Sequence, residues 1–130
     1  MTPAPRLLAA VAVGGAIGAL MRSALSTWIP DGDGIPWTTF AINLTGSAAL
    51  AGLAGLRLLR GSDAWAAALG PGVMGGFTTM SAASEQTRSL LDRGDLAPAA
   101  AYVVGSLLAC VLGVALVRHF LPVVDELVET

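Results

Sequence analysis

The chain has 130 residues, 55% of them hydrophobic and only 12% charged, and carries a formal net charge of −2. With a mean hydropathy of +0.73, it reads as an integral membrane protein forming a single transmembrane domain, residues 1–130, with no room for a soluble module. The absence of lysine and of any basic cluster excludes a nucleic-acid partner.

The first span runs from Leu7 to Ile29, apolar except for Arg22 and a few hydroxyls. A cleaved signal would have a shorter apolar core, so the segment is read as a retained helix. Gly14 and Gly18 form a small-xxx-small face suited to close helix contact. Pro30 to Pro36, with Asp31 and Asp33 between, makes the first loop.

Trp37 to Leu56 is the second span, about the 20 residues needed to cross a bilayer, with Trp37 at the place of an interfacial anchor. Asn43 lies within it, and Gly46 and Ser47 follow on the same face. An amide in hydrocarbon is costly unless bonded or wet, so Asn43 faces a neighbouring helix or a pore.

After a polar turn from Arg57 to Asp63, the third span covers Ala64 to Leu91. Pro71 and the glycines at 70, 72, 75 and 76 argue for a helix interrupted near its centre. The stretch from Gly72 to Ser84, GVMGGFTTMSAAS, holds three glycines, two threonines and two serines in thirteen residues. Exposed backbone at membrane depth is tolerated only where protein buries it or it lines a cavity. This stretch is therefore a candidate helix break whose free carbonyls could hold an ion. Close helix packing through small residues is the alternative reading.

Asp92 to Asp95 forms the next turn, and Leu96 to Val117 is the fourth span, with Tyr102 and Ser106 four residues apart on one face. The segment from Pro122, bearing Asp125, Glu126 and Glu129, reads as a solvated acidic tail. Cys110 reads as a packing residue and His119 as interfacial. One Cys with one His makes no zinc site or catalytic pair, and so few titratable groups leave no basis for an enzyme. Arg6, Arg57, Arg60 and Arg118 fall on one side of the expected topology, against Arg88 and Arg93 on the other, with Arg22 if it reaches the surface. That small bias suits a chain that inserts both ways and assembles as an antiparallel pair.

The segments GGAIGALMR (Gly14 to Arg22), NLTGS (Asn43 to Ser47) and GGFTTMSAASEQ (Gly75 to Gln86) resemble the Fluc/CrcB family of small fluoride channels. The third is the most specific, being close to the pattern GGFTTFSTFxxE. The resemblance implies an all-α membrane protein of four transmembrane helices with a broken third helix, paired as an antiparallel, dual-topology dimer in the cell (inner or plasma) membrane. It implies passive export of fluoride, lowering its concentration in the cytoplasm. It further implies a structural sodium ion, not transported, held by backbone carbonyls at Gly75 and Thr78 of both chains. The ion pathway would be lined by Asn43, Ser81, Tyr102 and Ser106, with Met80 beside them, and Arg22 would sit near a vestibule.

The chain departs from the pattern at the paired phenylalanines, which fall on Met80 and Ala83, and at the glutamate, which falls on Gln86. A methionine has no weakly positive ring edge to face an anion. These losses suggest a heterodimer, in which a homologous chain supplies the rings; a homodimer that conducts with Met80 is the alternative. The rival functions are a small proton-coupled multidrug transporter and a non-conducting partner subunit. The first needs a carboxylate within the membrane, and no Asp or Glu lies in the first three-quarters of any span.

Overall fold

The computed structural model describes residues 4–54 and 61–121, and every regular element among them is helical. Gly55 and Leu56 of the second expected span lie outside the described residues. So do Arg57, Arg60 and the acidic segment from Pro122. Helix α1 (Pro5–Trp28) begins with proline, whose missing N–H is no loss in a first turn. Helix α2 (Trp37–Leu53) has no capping side chain at its own N-cap, Pro36.

Helix α3 (Asp63–Ala67) is capped by Ser62, whose hydroxyl accepts from the Trp65 N–H. It runs directly into a π-helical segment, π1 (Ala68–Met74), and then into α4 (Gly75–Phe77). Pro71 lies inside π1, where the backbone stays helical. A proline is disfavoured in a regular α ladder, and here it sits where the helix has left that ladder for a π turn. Helical backbone stops instead at Thr78 and Thr79, both extended, and resumes as α5 (Met80–Asp92).

Just beyond its last turn, helix α5 is closed by Gly94, whose φ of +83° is left-handed and favours glycine. The Gly94 N–H donates to the Leu91 carbonyl and the Asp95 N–H to that of Leu90, both at 2.9 Å. This paired closure turns the chain into α6 (Leu96–Phe120). Across the hairpin, Leu90, Ala99 and Tyr102 form a buried cluster, with Ile35, Phe40 and Ala83 packed around it. Arg93 ties the turn to the α1–α2 loop by donating to the Asp33 carbonyl.

The α1 seam is built from backbone rather than side chains. A Cβ at Gly14 would collide with the Ala68 carbonyl, one at Gly18 with the Val73 carbonyl, and one at Gly76 with the Gly15 carbonyl. Helix α1 and the 68–77 segment thus meet with glycine on both sides, the contact that drives association where lipid is as apolar as any side chain. Large apolar residues of α1 and α6, such as Leu20, Leu107 and Leu112, point outward. These two helices are long and apolar enough to cross a membrane.

Neighbouring glycines should respond differently. Gly14→Ala and Gly18→Ala place a methyl on rigid backbone and should each cost about 1–3 kcal/mol. Gly15→Ala meets only the Gly72 carbonyl at 3.9 Å and should be tolerated. Thermal unfolding of the detergent-solubilised protein compares the three.

Candidate functional site

The site begins where helical hydrogen bonding fails. The Asn43 side chain of α2 donates from Nδ2 to the Thr79 carbonyl at 3.0 Å, and its Oδ1 accepts the Thr79 N–H at 2.8 Å. One primary amide thus pairs with one residue's backbone as a neighbouring strand would. Two carbonyls lose their regular donors as a result. The Thr79 N–H, which a continued helix would send to Gly75, goes to Asn43; the Ala82 N–H, which would reach Thr78, goes to the Thr79 hydroxyl at 3.1 Å. Gly75 is exposed in the single chain, and a Cβ built on it meets nothing within 4 Å. Two backbone oxygens of the kind a hard cation takes are therefore left without their helical donors, one of them on the exposed Gly75.

Helix α2 can approach this point because Gly46 lies against the Thr78 methyl and the Phe77 ring. On the α1 side, Arg22 Nε donates to the Gly76 carbonyl at 3.2 Å. Arg22 is therefore half-buried at the level of the break, held to backbone.

Five of the site residues expected from the sequence, Asn43, Thr78, Met80, Tyr102 and Ser106, line one groove of about 630 Å³. Tyr102 is 3% exposed at its inner wall, whereas Met80 is 81% exposed at its rim. Among the described residues the Ser106 hydroxyl oxygen is buried without a hydrogen-bond partner, an arrangement that costs free energy in the single chain. Ser81 does not line this groove: it is exposed, and its hydroxyl pairs with that of Thr79 at 3.2 Å. Cys110 does line it, two turns beyond Tyr102; the spacing of Tyr102, Ser106 and Cys110 by four residues contained that signal. At the mouth, Arg88 is paired with Glu85 and Asp92, exposed contacts of small energetic weight.

The groove's inner end is tied to the α1–α2 loop. The Tyr102 hydroxyl donates to Gln86 Oε1 at 3.4 Å, and Gln86 Nε2 donates to Asp31 Oδ2 at 2.7 Å. The Asp31 carboxylate also accepts the Thr38 N–H at 2.7 Å, the Thr39 N–H at 3.2 Å and the Thr39 hydroxyl at 2.7 Å. It thereby caps α2 from outside the helix. Burial pushes the Asp31 carboxyl up, but the hydrogen bonds from Thr39, Thr38 and Gln86 outweigh it and hold it below its ordinary value. No single-residue pattern pointed to Asp31, because its partners lie seven, eight and fifty-five positions away.

The sequence model of the family described as "CrcB-like protein, Camphor Resistance (CrcB)" matches residues 9–117. The chain is 38% identical over 119 residues to the fluoride-specific ion channel FluC 2 of Nocardia farcinica, covering 86% of this chain and 82% of that one. It is 45% identical over 111 residues to the fluoride-specific ion channel FluC of Novosphingobium aromaticivorans, covering 82% and 88%. It is 46% identical over 122 residues to the fluoride-specific ion channel FluC 1 of Mycobacterium bovis, covering 88% and 92%.

A carboxyl held down in the folded state stabilises it fully above the unfolded value, and that contribution is lost as pH falls through the folded one. The amide signals of Thr38 and Thr39 should therefore hold constant down through the range of a free aspartate and shift only below it. Asp31→Asn should abolish the shift, as NMR titration of the labelled protein will read.

Proposed function

Because this chain belongs to the CrcB-like family, we propose that it is a fluoride-selective channel of the cell membrane. It lets the anion leave passively and so lowers its cytoplasmic concentration. The observation that carries the reading is the buried Ser106 hydroxyl, without a hydrogen-bond partner among the described residues, in a groove it shares with Asn43 and Tyr102. Fluoride is small and strongly hydrated, and only donors of comparable strength can replace its water. Ser106 offers one free O–H. Asn43 offers the second hydrogen of Nδ2, the first being held by Thr79. Tyr102 offers ring-edge hydrogens, since its hydroxyl is engaged with Gln86. Donors in series, each partly satisfied, let an ion enter without holding it. Arg22 adds positive potential from the level of the Gly76 carbonyl. Ser81, which pairs with Thr79 on an exposed surface, belongs in this proposal to a pathway completed by a second chain.

The unit that conducts is an antiparallel dimer of four-span subunits, each with its third span broken at Thr78 and Thr79. The Gly75 and Thr78 carbonyls of both copies would hold a structural sodium ion. The fit rests on their oxygens, which have lost their helical donors. Bound there, the cation supplies a charge that joins the two chains. Exchanging sodium for a bulky organic cation should shift the purified protein from dimer to monomer, and cross-linking yield in detergent reads that shift.

Met80, fully presented at the groove rim where a phenylalanine is expected, favours a pairing of unlike chains. The numbered names FluC 1 and FluC 2 among the relatives suit that arrangement. Fluoride efflux from liposomes, followed by electrode, tests both levels. Efflux by the chain alone, without chloride leak, establishes a self-sufficient channel. Silence that Met80→Phe with Ala83→Phe relieves, or that a homologous chain relieves, establishes a half-channel. Silence under all three conditions sinks the channel reading, and coupled efflux of a lipophilic cation would replace it with a transporter.

A further inference from the structure

The Gln86 amide has two chemically different ends, and its surroundings permit one orientation. An ionised carboxylate only accepts hydrogen bonds, so the end facing Asp31 Oδ2 at 2.7 Å must be Nε2. That leaves Oε1 toward Tyr102, whose single phenolic proton is then drawn to it. Asp31 in turn is not free to rotate. One of its oxygens holds the Thr38 N–H, and the other holds the Thr39 N–H and hydroxyl. The Tyr102 ring is itself fixed in the cluster with Leu90 and Ala99. A continuous line of oriented donors thus runs from the N-terminus of α2, through a loop carboxylate, to the wall of the groove.

We propose that Asp31 is a positioning residue of the ion pathway: acting through Gln86, it turns the Tyr102 O–H away from the groove, so that the ring edge and not the phenolic proton faces a passing anion. The proposal rests on the reading that Tyr102 lines a fluoride pathway. It explains how this chain works with an amide at position 86, where the resemblance expects a carboxylate. The charge at this end of the groove comes from a loop outside the spans, and Gln86 transmits its direction. Were the phenolic proton released into the groove, it would add a strong donor at a buried site and hold the anion instead of passing it.

Tyr102 is the sole tyrosine of the chain, so ring-labelled tyrosine reports on it alone. Isotope-edited infrared spectroscopy of the full chain in lipid reads the phenol C–O mode, which depends on whether the hydroxyl donates or accepts. The mode should move in Asp31→Asn, which frees Gln86 to turn, and in Gln86→Ala, which removes the acceptor while leaving the α2 cap intact. Fluoride efflux should fall roughly five-fold in Asp31→Asn, the size of one lost hydrogen bond. In a Tyr102→Phe background the same change should produce no further loss. An unmoved phenol mode in Gln86→Ala overturns the proposal, as does an Asp31→Asn efflux loss that persists in full without the hydroxyl. If the unaltered chain and its homologue pairings carry no fluoride, the channel reading fails, and the infrared result alone still decides where the proton points.

Discussion

The arrangement hangs on one side chain replacing a stretch of backbone. Hydrocarbon offers no hydrogen bonds, so a chain that leaves the helix there must find every partner within the protein. Asn43 does this for Thr79 with a donor and an acceptor together, while the Thr79 hydroxyl restarts α5 by taking the Ala82 N–H. Serine or threonine at position 43 could not span both backbone groups. Gly46 lets α2 come close enough to form this clamp, and the freed carbonyls of Gly75 and Thr78 follow from it.

Two styles of packing meet around that clamp. On the α1 side, glycine against backbone sets the distance and leaves almost nothing buried in the side-chain sense. On the α6 side, Leu90, Ala99 and Tyr102 make a small core of ordinary side chains, closed by the Gly94 turn. The first seam holds the segment before the break and the second holds the segment after it. Asn43 therefore bridges two halves that are anchored by different physics.

Much of this was legible in the residues. The apolar spans, the glycine spacing of Gly14 and Gly18 and the unusual polarity of Gly72 to Ser84 are periodic or compositional signals. Asn43 stood out because an amide is costly in hydrocarbon, whereas Tyr102 and Ser106 were marked by a shared helix face and by the family resemblance. The π turn around Pro71 was not legible, since a proline signals only a disturbed α-helix and nothing local announces the wider pitch. Asp31 was read only as part of a loop, because a carboxylate that caps a helix from outside is defined by the path of the chain. Ser81 matched by position, yet the face it occupies is fixed by how α5 restarts at Thr79. The seam and the polar candidates are local facts, whereas the cap, the relay and the groove are facts of closure.

The glycine seam between α1 and the 68–77 segment has a consequence for how such a chain can change over time. Because the contact is made by backbone atoms, the outward side chains of the same helices take no part in it. Substitutions there leave the subunit's shape unaltered while rewriting what it presents to lipid or to another chain. A duplicated copy could therefore drift in its outer face, and lose one set of groove residues, without first having to reinvent its fold.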